Sequence, residues 1–216
     1  MVTLDLHTHS EASPDGSLHT ADYHSVLMSG RLNTIAITDH NRIDFAVAFQ
    51  KKLGDNIIVG EEITALEGEI IGLYLHEVVP AGLSAAETAR RIHAQGGLVY
   101  IPHPFETVRK GLPLAVLNKI ASEVDIIETY NGRSMQNRAD KASTWASEHS
   151  VVGAASSDAH GRHGWGNAYS IVMEKPTRET LVALLANATY NTESTGLVGR
   201  LYPKLNRLRK AVYKNV

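Results

Sequence analysis

The sequence predicts an α/β protein in which about seven strands alternate with helices and form a (β/α) barrel. Short runs rich in β-branched residues alternate with stretches of helical periodicity along most of the chain, which is the order of a mostly parallel sheet covered by helices. Imidazole and carboxylate side chains recur at the predicted strand ends, where α/β barrels gather their reactive groups.

The predicted elements follow one another closely. Strands are predicted for VTLDLH, NTIAITD, NIIVGEEIT, EIIGLYL, GLVYIPHP, VDIIETYN, VVGAASSDAH and AYSIVM. Helices are predicted near 20–30, 42–53, 84–95, 113–121, 134–148 and 177–188. Ser84 precedes Glu87 by three residues, as in a capping box, and Gly96 follows the same helix. A turn is predicted at Glu67 and Gly68.

The composition fits one domain with a single buried core, because the chain has 216 residues and 43% of them are hydrophobic. Cysteine is absent, which excludes disulfides and thiolate zinc sites and leaves nitrogen and oxygen as ligand atoms. No apolar run approaches the roughly 20 residues of a membrane span, and the N-terminus shows no secretory pattern. We therefore expect a soluble, cytoplasmic protein.

Basic residues concentrate in the C-terminal segment RLYPKLNRLRKAVYKNV, which begins at Arg200. Its apolar residues recur near helical spacing, at Leu201, Leu205, Leu208 and Val212. Such a basic amphipathic helix can face a membrane surface or nucleic acid. The simpler expectation is a terminal helix docked on the domain with its basic side in solvent. We therefore predict a domain over 1–195 and a basic tail or docked helix over 196–216.

Histidines and carboxylates cluster in short motifs near the strand ends. These motifs are DLHTHS (His7, His9), TDHN (Asp39, His40), GEEIT (Glu62), IPHP (His103) and SSDAH (Asp158, His160). Alternate residues of a strand face the same side, so His7 and His9 can bind one metal ion together. A single strand histidine is usually a hydrogen-bonded core residue, but that explanation would have to hold separately at every motif. The motifs therefore predict one polynuclear metal site.

In this order the motifs HxH, TDH, PHP and SDAH resemble those of the PHP (polymerase and histidinol phosphatase) superfamily of metal-dependent phosphoesterases. The resemblance extends from Leu4 to about Leu185. It implies a distorted, TIM-like barrel of seven strands that binds two to three divalent ions at the C-terminal ends of the strands. Imidazole and carboxylate ligands suit zinc, manganese or iron.

The resemblance also assigns metal ligands in this chain. They are His7, His9, Asp15, His40, Glu62, Glu69, His103, Asp158 and His160. Glu62 matches the carboxylate that bridges two ions. Many members have a histidine where this chain has Glu69, which leaves His76 as an alternative. We favour Glu69, because the separation of seven residues turns His76 to the opposite face of a regular strand.

Three further carboxylates lie in the predicted strands, near their ends. Glu61 is expected to face helices or solvent, because adjacent strand residues point to opposite sides. Asp39 is expected to orient an imidazole through a hydrogen bond. Glu128 either supports the site similarly or simply ends its strand.

The site predicts phosphate ester hydrolysis. Enzymes accelerate this reaction up to about 10²¹-fold, whereas one acid or base supplies about 10²–10⁴-fold, so metal ions must supply most of the acceleration. The expected step is attack by a hydroxide held between two ions. Asp158 could also protonate the leaving oxygen, and Asn131 and Arg133 are predicted to bind the substrate.

The expected substrate is a small phosphorylated metabolite, with a nucleotide favoured. An exonuclease that acts on RNA or DNA ends is the first alternative, supported by the basic tail. The resemblance also allows a histidinol-phosphate phosphatase. A metal-stabilised structural or partner-binding PHP module is the alternative that is not an enzyme, and the nearly complete ligand set disfavours it.

Overall fold

The computed structural model describes residues 1–134 and 137–213. The strands are β1 (Val2–Asp5), β2 (Thr34–Ile37), β3 (Ile57–Thr64), β4 (Glu69–Leu73), β5 (Leu98–Ile101), β6 (Ile126–Asn131), β7 (Val152–Ser156), β8 (Ala168–Val172) and β9 (Thr189–Thr192). The α-helices are α1 (Thr20–Met28), α2 (Asp44–Leu53), α3 (Ala85–Ala94), α4 (Leu114–Lys119), α5 (Asn137–His149), α6 (Leu181–Leu185) and α7 (Gly196–Tyr213). Two predicted segments lie partly outside the described residues, at 135–136 and 214–216. None of the described helices has the length and hydropathy that a membrane span requires.

The strands form one sheet in the order β7-β6-β5-β4-β3-β2-β1-β8-β9. Past the strand ends, a parallel bridge between Thr8 and Ala159 joins the segments that follow β1 and β7. His9 N donates to Ala159 O there, at 2.9 Å. The sheet is thereby nearly closed, which confirms the predicted barrel class.

The predicted strand count and the mostly parallel pairing are wrong in detail. Nine strands are described, and β4, β8 and β9 pair antiparallel with their neighbours. β4 follows β3 through the predicted turn, where Ala65 N donates to Gly68 O at 2.9 Å, and so short a hairpin forces antiparallel pairing. β9 is a polar, mostly exposed strand, so its sequence has no apolar alternation to detect.

Two layers of apolar side chains pack against the sheet, one on each of its faces. Inside the barrel, Leu73 and Tyr100 are buried together with Leu185 of α6. Residues on the opposite face of the strands, such as Val99, pack against helix residues such as Ile92 of α3. Because strand side chains alternate between faces, the apolar interior fills one end of the barrel and leaves the carboxyl ends of the parallel strands to polar side chains.

Helix α7 docks on the barrel through polar contacts, and its apolar stripe is not the docked face, while Arg200, Lys204 and Arg209 are exposed. Asn206 Nδ2 donates to Asp15 O at 2.8 Å and to His160 O at 2.9 Å. Gly161 lies against Tyr202, whose ring would be 2.5 Å from an added Cβ. The apolar stripe is 45–64% exposed, at Leu201, Leu205, Leu208 and Val212. The loops under α7 present carbonyls and a carboxylate, which polar and cationic side chains satisfy and leucines cannot.

The barrel interior should be the most sensitive part of the fold. Leu73→Ala, at a fully buried position of β4, should lower the free energy of unfolding by about 2–5 kcal/mol because it leaves a cavity. Leu66→Ala, the same change at a position that is 74% exposed, should cost less than about 0.5 kcal/mol. Urea denaturation of both variants measures the difference, and equal losses would contradict the assignment of Leu73 to the core.

Candidate metal centre

All nine predicted ligands lie together at one end of the barrel. Among the described residues, four groups hold their ligand atoms within 4.8 Å of one another. The groups are His7–His9–Glu62, His7–His103–Asp158, His40–Glu62–Glu69 and His9–Asp15–His40–His160. Because the groups share members, the donors form one continuous cluster.

Glu62 lies at the centre of this cluster. Its Oε2 atom is 3.2 Å from His9 Nε2, 3.3 Å from His40 Nδ1 and 3.5 Å from His7 Nε2. Its Oε1 atom is 2.9 Å from His103 Nε2. One carboxylate thus contacts imidazoles from different strand ends, as a bridging ligand must.

The adjacent Glu61 faces the opposite side of β3, as predicted, but it is fully buried and not in solvent. Its Oε2 atom accepts a 2.8 Å hydrogen bond from Val79 N. Burial raises the pKa of Glu61 to about 7, with the Val79 hydrogen bond opposing the shift. The alternation of β3 therefore brings only one of the two glutamates into the cluster.

The histidines of the HxH motif follow β1 and do not belong to it. Their Nε2 atoms are 3.1 Å apart. Thr8 between them turns the other way and donates from Oγ1 to Ala36 O at 2.7 Å. Burial, together with the charge of His160, lowers the pKa of His9 to about 3. His9 is therefore neutral near pH 7 and has a free lone pair for a metal ion.

Glu128 holds two predicted ligands in place, His7 through its imidazole and His103 through its backbone N–H. Its Oε1 atom accepts from His7 Nδ1 at 3.1 Å and from Tyr100 OH at 2.9 Å. Its Oε2 atom accepts from His103 N at 2.6 Å and from Asn131 Nδ2 at 2.8 Å. Of the two expectations for Glu128, support of the site is the one confirmed.

Asp39 makes no hydrogen bond to an imidazole among the described residues, so the expectation that it orients one is wrong. It accepts from Ser10 N at 2.7 Å and from Ser10 Oγ at 2.5 Å. The reason is register, since Thr38 N donates to Thr8 O at 2.9 Å and this pairing sets Asp39 opposite Ser10. Asp39 fixes the backbone just after the HxH motif.

The structure brings Glu69 into the cluster and leaves His76 at the surface. Glu69 Oε2 is 3.8 Å from His103 Nε2, and Glu69 Oε1 is 3.9 Å from His40 Nδ1. Burial, with the charge of Glu62, raises the pKa of Glu69 to about 8.

Asp15 joins His40 and His160 on the outer side of the cluster. Asp15 Oδ1 is 3.5 Å from His160 Nε2, and Asp15 Oδ2 is 3.5 Å from His40 Nε2. Burial raises the pKa of Asp15, but its hydrogen bonds to His160 and His40 outweigh burial and hold the pKa well below its usual range.

The cluster fits a polynuclear site for divalent ions. Five imidazoles and four carboxylates point at one small, mostly buried region, and nitrogen and oxygen donors of this kind suit zinc, manganese or iron. The Nδ1 atoms of His9 and His103 are buried without a hydrogen-bond partner among the described residues. The backbone is also held in the left-handed region at His103 (φ 28°) and Asp158 (φ 53°), as is common at functional sites.

Comparison with known proteins agrees with this geometry. A family model for the PHP domain matches residues 5–189. The chain belongs to the PHP domain family. The uncharacterized proteins MJ1587 and MJ0417 of Methanocaldococcus jannaschii are 34% and 33% identical to it. The matches cover 63% of this chain and 87% of MJ1587, and 81% of this chain and 74% of MJ0417.

This chain also resembles solved structures in its fold. A two-domain protein from Bacteroides vulgatus, described as containing a predicted PHP-like metal-dependent phosphoesterase, superposes with a TM-score of 0.69 at 20% identity. The match covers 89% of this chain and 65% of that protein, so the chain spans about two thirds of its length. The chain therefore shares its fold with that protein.

Arg109 also contacts the candidate metal centre, although it was not predicted from the sequence. Its NH1 atom donates to Asp158 Oδ2 at 2.5 Å and to Asn131 Oδ1 at 2.8 Å. Arg133 NH1 donates to the other oxygen, Asp158 Oδ1, at 3.0 Å. Burial raises the pKa of Asp158, but Arg133 and His7 outweigh burial and hold the pKa well below its usual range. Arg109 lies in an irregular loop, where no spacing could indicate its partner.

The cluster forms the floor of a cavity of about 550 Å³. Cationic side chains surround this cavity, namely Arg109, Lys110, Arg133, Arg200, Lys204 and Arg207. Three of them come from α7, which the sequence had not connected with the site. The cavity is therefore acidic and imidazole-rich at its base and positively charged at its walls.

Glu128→Gln should weaken metal binding about 10- to 100-fold, without a change in fold. Glu128 accepts from four donors, so an amide would set its own NH₂ group against two of them and release His7 or His103. Competition with a chromogenic chelator gives the zinc Kd. Glu148→Gln, on the exposed surface of α5, is the matched control. Equal affinities in the two variants would exclude an orienting role for Glu128.

Proposed function

We propose that this PHP protein is a metal-dependent phosphoric ester hydrolase that acts on a small phosphorylated metabolite, with a nucleotide as the favoured substrate. The observation that carries the proposal is a cluster of nine candidate metal ligands, seven of which line a cavity that is surrounded by cationic side chains. Metal ions attract and activate a phosphoester, and arginines suit its anionic oxygens. We assign the hydrolase to residues 1–195 and the basic segment to 196–216.

The metal ions would be held in the groups that the geometry defines. His7, His9, His103 and Asp158 would lie on one side of Glu62, with Glu69 beside it. His40, His160 and Asp15 would hold a third ion on the outer side. When bound, such ions lower the pKa of a water molecule and neutralise phosphoryl oxygens. Glu128 and Asp39 keep the ligand-bearing segments in position.

On the substrate side, we assign phosphate binding to Arg133. Its NH1 atom contacts Asp158 and lies 3.2 Å from His160 Nδ1, and its Nε atom is buried without a partner among the described residues. Asn131 already bonds to Glu128 and Arg109, so it would act by holding Arg109 and Asp158 beside the phosphate. A buried arginine with an unused N–H can donate a hydrogen bond to an anionic oxygen at little cost.

A second cavity favours a nucleotide among the phosphorylated metabolites. It has a volume of about 310 Å³ and shares His103 and Arg200 with the cationic cavity. Its lining carries hydroxyl groups from Thr129, Tyr130, Ser134, Thr192 and Ser194. Such groups can hydrogen-bond a sugar or a base next to the scissile phosphate.

A panel assay tests the proposal directly. The protein, loaded in turn with zinc, manganese or iron, is offered nucleoside 5′-monophosphates, short RNA and DNA oligonucleotides, and histidinol phosphate, and released phosphate or nucleotide is measured. We expect the nucleoside monophosphates to be hydrolysed fastest. A chelator should abolish turnover and lower the melting temperature, because the buried carboxylates would then repel one another.

The alternatives make different predictions in the same assay. Faster cleavage of oligonucleotides would favour the exonuclease, and selective turnover of histidinol phosphate would favour that phosphatase. Inactivity on the whole panel at full metal occupancy would leave a metal-stabilised structural or partner-binding module. An unchanged melting temperature in chelator would contradict the metal centre itself.

Asp158→Asn separates two roles of that residue. The low pKa of Asp158 favours a charged ligand over a proton donor. If Asp158 also donates a proton, turnover should fall about 10²–10⁴-fold while elemental analysis still finds the metal. Loss of metal together with turnover would indicate a ligand alone. Full turnover with metal retained would exclude the proton-donor role, and Asp55→Asn on the exposed surface is the control.

A further inference from the structure

Helix α7 forms one wall of the cationic cavity. The residues Arg200, Pro203, Lys204, Arg207 and Leu208 all line it. The PHP family match ends at residue 189, and α7 begins at Gly196. The wall is therefore built from a part of this chain that lies beyond the matched domain.

Two cations of α7 are used to hold the helix in place. Arg207 NH2 donates to Asp15 Oδ2 at 2.6 Å. Lys210 Nζ donates to Ser13 O at 2.5 Å and to Glu11 O at 2.7 Å. Together with Asn206, these contacts fix α7 against the loop between the HxH motif and α1. These polar contacts therefore determine how α7 is oriented along the cavity.

Two other cationic side chains of α7 have donors that are available to bind a ligand. Lys204 lines the cavity and has no ion pair or hydrogen bond within residues 1–134 and 137–213. Arg200 lines both cavities and donates from NH2 to Ser134 O at 3.1 Å, which leaves most of its donors unused. The helix sequence GLVGRLYPKLNRLRKAVY contains no acidic residue, so nothing on α7 itself offsets these charges.

We propose that Lys204 and Arg200 of α7 form an anion subsite that binds a second phosphate group of the substrate, apart from the phosphate at the metal centre. The subsite rests on the proposed phosphoesterase function and deepens it, because it selects substrates with two phosphate groups over substrates with one. A charge-assisted contact of this kind contributes enough to change affinity about tenfold. Lys204 and Arg200 are then specificity-determining residues.

Binding of unreactive phosphonates to the metal-loaded protein tests the subsite. Calorimetry compares alkane-1,ω-bisphosphonates, from ethane to hexane, with the monophosphonates of the same chain length. We expect the wild-type protein to prefer at least one bisphosphonate by about tenfold. Lys204→Ala should remove most of that preference. Arg209→Ala, which removes an exposed cation of the same helix outside the cavity, should retain it.

The outcomes separate this proposal from the phosphoesterase function. If monophosphonates do not bind the metal-loaded wild-type protein, the phosphoesterase proposal and the subsite both fail. If monophosphonates bind and no bisphosphonate binds better, only the subsite fails. An equal effect of Lys204→Ala and Arg209→Ala would reduce the subsite to general attraction by a basic helix and would also overturn it. Circular dichroism of each variant checks that α7 remains folded.

Discussion

The carboxylate of Glu62 is the constraint on which the rest of this structure depends. A buried carboxylate is costly unless charged or hydrogen-bonding partners surround it. Burial raises the pKa of Glu62, but His40 and His7 outweigh burial and hold the pKa well below its usual range. These partners come from segments that follow different strands, so they can meet at one carboxylate only when the sheet curves and nearly closes. Barrel closure and the candidate metal centre are therefore two consequences of the same arrangement.

Strand alternation connects the apolar core to this polar cluster. Tyr100 shows the connection most directly, because its ring belongs to the barrel interior while its hydroxyl bonds to Glu128 and lies 2.9 Å from Ser156 Oγ. Glu128 in turn bonds to His7. A residue packed in the core is thus two contacts from the candidate metal ligand His7, and these contacts hold the imidazole of His7 in place.

Much of this could be predicted from the sequence, because the information is local or belongs to a motif. The alternation of elements, the turn after β3 and the cap of α3, where Glu87 N donates to Ser84 Oγ, follow from short-range chemistry. The positions of the nine candidate ligands follow from motif order. What could not be predicted depends on contacts distant in sequence. Arg109 meets Asp158 across 49 residues, and Asp39 bonds to Ser10 because two strand extensions pair in one register.

Helix α7 shows why periodicity alone cannot choose a docked face. The leucine stripe correctly indicates a helix, since apolar residues at intervals of three and four share one side. The surface under a helix determines which side of the helix packs against it. The loops under α7 present carbonyl groups and Asp15 instead of an apolar groove. Asp15 uses one oxygen toward His160 and the other toward His40 and Arg207. The outer candidate metal group and the helix therefore share a carboxylate, so any shift of Asp15 toward His160 or His40 must alter the contact that holds α7 over the cavity.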